Sequence, residues 1–149
     1  HRLQETVDEA DLVLRWGGEE FLVVGRGKLH ADAHALANRI HESLRASTFD
    51  IGGERALSIT CSLGFACYPL VSEKCDAYSW EDVLAVADQA LYAAKLSGRN
   101  QWVGLGGTLE TPTEDFKEAL GKGVKSLLAK DQLTVECEKG EVDGLTWNE

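Results

Sequence analysis

Two apolar runs, Leu12-Val13-Leu14 and Phe21-Leu22-Val23-Val24, flank the segment Arg15-Trp16-Gly17-Gly18-Glu19-Glu20. Two strand-like runs separated by Gly-Gly predict a β-hairpin, because a tight primed turn needs positive φ. The rest of the chain is read outward from that hairpin. Residues 1–10 look like the end of a helix, with Leu3 and Val7 one turn apart. Residues 31–46 place Ala33, Leu36, Ala37, Ile40 and Leu44 at helical spacing. A second glycine turn, Gly52-Gly53, leads into a long expected strand from Ala56 to Tyr68, which Pro69 ends.

Ser79 predicts a helix N-cap, with Glu81 and Asp82 in the first turn. The helix is expected to run to about Ser97, with Val83, Leu84, Ala87, Leu91 and Ala94 on its buried side. Gly98 is its expected C-cap. Trp102-Val103 begins a last short strand. The order is end of helix, hairpin, helix, strand, helix, strand, which predicts an α+β fold with a mainly antiparallel sheet. Composition changes after Gly104, so residues 105–112 read as a linker and 113–149 as an acidic extension. In the extension, Thr113 is expected to cap a helix with Phe116, Leu120, Val124 and Leu127 on one face. Leu133-Thr134-Val135 and Leu145-Thr146-Trp147 are expected to pair as a hairpin.

Charge narrows the function classes. The formal net charge is −10, from 25 acidic and 15 basic side chains. A binder of nucleic acid polymers needs a basic face, which argues against that class. A single nucleotide is still compatible, since a few placed cations hold a phosphate. A hydrophobic content of 44% excludes whole-chain disorder. Cys61, Cys67, Cys75 and Cys137 form no ligand-like spacing and read as reduced thiols in a cytoplasmic protein. The start on His1 reads as a fragment or a processed chain.

Two segments carry candidate chemistry. Glu19 and Glu20 follow the glycines directly, and strand alternation sends them to opposite faces. Gly17 and Gly18 let a ligand approach the backbone, and a carboxylate there suits a hard cation that also contacts phosphate. The plainer reading is a Gly-Gly turn with a solvated Glu pair. The other segment is Lys95-Leu96-Ser97-Gly98-Arg99-Asn100. Cations at a helix C-terminus complement the dipole, while Lys95 and Arg99 also suit one triphosphate approached from the same side.

Together, Arg15 to Phe21, Ser58 to Gly64 and Ala87 to Asn100 closely resemble the GGDEF family of diguanylate cyclases. The resemblance covers about residues 1–104. It implies a nucleotide-cyclase, palm-like, ferredoxin-like βαββαβ sandwich. It implies condensation of two GTP molecules into cyclic di-GMP with Mg²⁺ or Mn²⁺, at the face of a homodimer. By motif position, the resemblance implies that Glu19 is the metal-binding acid and helps deprotonate the 3′-OH; Glu20, the second signature acid, is the other expected catalytic residue. Gly17, Gly18, Lys95 and Arg99 are expected to bind substrate. Arg15, Asp88, Ser62 and Gly64 match family positions and are read as structural.

The chain departs from the family pattern in two places. An Asp-bearing strand, a Phe-Lys and Asn-Asp stretch and a Gly-Asp segment do not occur before Arg2. The first strand and helix, half the metal site and the guanine pocket are then expected to be absent. This polypeptide alone is expected to be inactive and prone to self-association, its parent carrying an N-terminal sensor or receiver domain and in some cases a membrane tether. The family's Arg-x-x-Asp product-inhibition motif is here Asp8-Glu9-Ala10-Asp11, so Asp8 replaces Arg while Asp11 is retained. No feedback site is expected there, because an acid repels the product's phosphates. The alternative to a cyclase is a degenerate domain that responds to GTP or cyclic di-GMP, or serves dimerisation.

Overall fold

The computed structural model describes residues 1–26, 30–53 and 55–147, and the chain divides into two compact units, His1–Cys61 and Ser62–Glu149. In the first unit, α1 (Arg2–Thr6) precedes β1 (Leu12–Gly17) and β2 (Glu20–Val24), which pair antiparallel. The expected hairpin is present, but its turn lies one residue later than Gly17-Gly18. Arg15 pairs with Phe21 and Gly17 with Glu20, so Trp16 is an extra residue in β1. That bulge makes Gly17 the last strand residue and leaves Gly18 and Glu19 as the turn. The alternation argument therefore applies to Glu20 alone, since Glu19 is not on a strand.

The helix α2 (His30–Arg45) follows, burying Ala37, Ile40 and His41. Its Ser43 hydroxyl meets that of Thr6 at 2.9 Å, tying it to the end of α1. Next, β3 (Thr48–Asp50) and β4 (Ala56–Ser58) form a second antiparallel hairpin. Gly52 and Gly53 both have positive φ there, and the Gly52 N–H donates to Asp50 Oδ1 at 2.8 Å.

The long strand expected over 56–68 is two strands. Ala56–Ser58 pairs with β3, whereas β5 (Leu63–Phe65) pairs with β6 in another sheet. A strand persists only where a neighbour supplies its ladder, and the two pieces have different neighbours.

The second unit is built on a sheet of order β5-β6-β7, with β6 at Trp102–Gly107 and β7 at Leu133–Cys137. β5 and β6 are parallel, while β6 and β7 are antiparallel. As the central strand, β6 buries Trp102, Val103 and Leu105. Residues 105–107 are therefore strand rather than linker. The Gly-rich stretch is held extended by its pairing with β5 and β7, and its glycines leave room for close neighbours: a Cβ at Gly104 would lie 2.4 Å from the Phe65 ring, and one at Gly107 2.6 Å from Val71.

The helix α3 (Trp80–Leu96) begins as expected at Ser79 with a full capping box. Its buried line is Val83, Val86, Ala90, Ala93 and Ala94; Leu84, Ala87 and Leu91 are half-buried. Small residues let the helix backbone approach the sheet, which moves the larger side chains to the flanks. Gly64 on β5 is where the approach is tightest, since a Cβ there would sit 2.0 Å from the Leu91 nitrogen.

Phe116, Leu120, Val124 and Leu127 are all buried, yet they belong to two helices, α4 (Phe116–Gly121) and α5 (Val124–Leu128). Asp115 rather than Thr113 is the N-cap of α4. Gly123, at φ 114°, ends the first helical turn path and restarts it. Among the described residues no strand forms at 145–147, so the expected terminal hairpin is absent. β7 pairs with β6 instead, and Val142, Leu145 and Trp147 pack on the hydrophobic core. The chain is thus α+β, with every pairing among the described residues antiparallel except β5–β6.

Candidate functional site

Gly17, Gly18, Glu19 and Glu20 come together at the tip of the β1–β2 hairpin, and all four are exposed. Gly18 has φ 52°, a conformation glycine adopts without steric cost. Nothing lies within 4 Å of a Cβ built on either glycine, so the backbone is open to a ligand. Arg15 stabilises the tip from the strand side. Its Nε and Nη2 donate to the Gly18 carbonyl at 3.1 and 2.8 Å. A bidentate contact of this kind suits the planar guanidinium.

Asp11 is buried at the start of the hairpin. Its carboxylate accepts the N–H of Asp8 at 3.1 Å and the N–H of Arg26 at 3.0 Å. These bonds close the entry turn and the far end of β2 on each other. Asp8 is 3.3 Å from Arg39 of α2.

Lys95 and Arg99 sit at the end of α3 in the second unit. Lys95 is half-buried in the last turn, and Arg99 is exposed two residues beyond Ser97. The helix closes in a Schellman arrangement, with the Arg99 N–H donating to the Ala94 carbonyl at 3.0 Å. Gly98, Arg99 and Asn100 have φ of 103°, 60° and 48°. Two non-glycine residues in this region are held by their surroundings. Gln101, which sequence reasoning did not single out, supplies part of the hold. It is 2% exposed, and its Nε2 donates to the Ser97 carbonyl at 2.6 Å. The available signal was a polar residue immediately before a buried strand. Asp88 is exposed on α3, Ser62 is half-buried, and Gly64 serves packing as described.

The donor chemistry at the hairpin tip is carboxylate oxygen, which suits Mg²⁺ or Mn²⁺ shared with phosphate. Among the described residues, no group of three or more His, Cys, Asp or Glu side chains is arranged to hold a metal by itself. The tip therefore fits part of a shared site rather than a closed cage. Among the described residues no helix is long and apolar enough to cross a membrane.

The family model described as "Diguanylate cyclase, GGDEF domain" matches residues 1–101. The chain is 36% identical over 104 residues to the response regulator PleD of Caulobacter vibrioides, covering 69% of this chain and 22% of that one. It is 37% identical over 99 residues to the diguanylate cyclase DgcP of Pseudomonas aeruginosa, covering 66% and 14%. The chain thus spans less than a quarter of the length of these relatives. Among solved structures, the diguanylate cyclase SiaD of Pseudomonas aeruginosa, in complex with its activator SiaC, superimposes with a TM-score of 0.53 at 33% identity. That match covers 66% of this chain and 35% of the other.

Proposed function

The chain belongs to the GGDEF family of diguanylate cyclases, and from that membership we propose that residues 1–104 are the GGDEF part of a cytoplasmic enzyme that condenses two GTP into cyclic di-GMP. The observation that carries this reading is the open hairpin tip, where Gly17 and Gly18 expose backbone beside Glu19 and Glu20. Glu19 would hold Mg²⁺ or Mn²⁺ jointly with phosphate oxygens. When bound, the cation neutralises phosphate charge and favours the 3′-alkoxide. Gly17 and Gly18 admit the nucleotide to the backbone. Glu20 contributes a second charge at the tip. Lys95 and Arg99 hold the terminal phosphates, orienting the α-phosphate for in-line attack by the 3′-OH from a second domain. The catalytic unit is a homodimer, regulated by an N-terminal sensor or receiver domain.

Asp8 stands where the family's inhibition motif has Arg, and both Asp11 oxygens accept backbone N–H groups. We therefore propose no product-inhibition site at Asp8 and Asp11. Residues 1–149 alone are proposed to be inactive, because the tip offers two carboxylates and no third ligand among the described residues.

The test is a chimera in which residues 1–104 replace the matching stretch of PleD. Incubation with GTP and Mg²⁺ is expected to yield cyclic di-GMP, while residues 1–149 alone yield none. A folded chimera that forms no product would overturn the cyclase reading in favour of a degenerate module. Product from 1–149 alone would overturn its proposed inactivity.

A further inference from the structure

The C-terminal segment Val142–Trp147 returns to the end of α3. The Thr146 N–H donates to the Ser97 hydroxyl at 2.8 Å, and Ser97 is the C-cap of that helix. Val142, Leu145 and Trp147 pack against the hydrophobic core on either side of this bond. Ser97 is held from its other side as well, since its carbonyl accepts Gln101 Nε2 at 2.6 Å. The same amide reaches the Ala94 carbonyl at 3.4 Å, the acceptor that also takes the Arg99 N–H. Gln101 is in turn fixed by β5, because its carbonyl accepts the Leu63 N–H at 3.1 Å.

From this arrangement we infer that Val142–Trp147 is a strap that positions the Ser97–Gln101 loop and so sets where Lys95 and Arg99 present their charges. Arg99 and Asn100 lie in the left-handed region, a conformation that relaxes unless neighbours oppose it. Two anchors oppose it: Gln101 from inside and the strap from outside. Ser97, Gln101 and Thr146 are positioning residues in this scheme. The consequence for phosphate rests on the cyclase reading above, whereas the strap itself does not.

The experiment compares residues 1–149 with Ser97→Ala, Ser97→Thr and Trp147→Ala. Amide exchange at Arg99 is expected to quicken about tenfold in Ser97→Ala and Trp147→Ala, the size of one lost hydrogen bond or anchor. Val86 and Ala90, inside α3, are expected to keep their protection, which shows that the fold is intact. Ser97→Thr retains the hydroxyl and is expected to restore the slow exchange. Unchanged exchange at Arg99 in both disrupting variants, or loss of protection throughout α3, would overturn the strap. Titration with inorganic tripolyphosphate separates the two readings. Binding weakened several-fold by Ser97→Ala and regained by Ser97→Thr supports positioning for phosphate. An unaltered chain that binds no tripolyphosphate would overturn the phosphate role of Lys95 and Arg99, with the strap decided by exchange.

Discussion

Arg15 closes the hairpin tip on Gly18: two nitrogens of one guanidinium share the Gly18 carbonyl, at 3.1 and 2.8 Å. The contact fixes the peptide between Gly18 and Glu19, so it sets the direction from which the Glu19 side chain leaves the turn. Lysine has no planar fork and cannot repeat it. In Arg15→Lys, amide exchange at Glu19 and Glu20 is expected to quicken several-fold. The unfolding free energy from urea titration should fall by less than about 1 kcal/mol, because the contact is exposed. Gly18→Ala, which forces a Cβ into the left-handed region, is expected to cost about 1 kcal/mol.

Gly64 has the opposite character, with no room at all. Its Cβ would meet the Leu91 nitrogen at 2.0 Å and the Ala87 carbonyl oxygen at 2.3 Å. These are backbone atoms of α3, so no rotamer change relieves the clash. Gly64→Ala is expected to destabilise residues 1–149 by about 3 kcal/mol, read from denaturant unfolding.

Asp82 makes stability depend on pH. Burial alone would raise its pKa, but the Ser79 backbone N–H and hydroxyl, with the Lys117 ammonium, hold it below the usual aspartate value. Ser79 N and Oγ each lie 2.8 Å from Oδ2, and Lys117 Nζ lies 3.6 Å from Oδ1. A carboxyl that ionises more readily when folded contributes stability above its unfolded pKa. That contribution is expected to disappear as pH falls from about 4 through the lower native value. Thermal melts over this range should show a smaller loss in Asp82→Asn, which is already less stable at pH 7.

In the PleD chimera, Glu19→Gln is expected to lower turnover about a hundredfold or more and raise the Mg²⁺ concentration needed. Lys95→Ala is expected to act mainly on KM for GTP, about tenfold, as loss of one charge-assisted phosphate contact does. An equal loss of kcat in Lys95→Ala would place that residue in the chemical step instead.

Much of the candidate site was legible because its parts are local. The hairpin, the Ser79–Asp82 capping box and the Gly98 helix end are each decided within a few residues of chain. The position of the turn was not, since the bulge at Trp16 depends on how β1 pairs with β2. Gln101 escaped notice because its importance lies in burial and in the carbonyls it meets, neither visible in a residue type.

By itself the sequence determined the α+β class, the family motifs, the Ser79 cap, the Gly98 helix end, and the apolar face of Phe116, Leu120, Val124 and Leu127. These follow from periodicity and from residues with restricted backbone chemistry. Only the tertiary structure decided that 56–68 splits between two sheets, that β6 continues through Gly107, and that the C-terminal segment joins the core. The physical reason is common to all three. Strand extent and packing depend on partners distant in sequence, which supply the ladder hydrogen bonds and the surface to be buried.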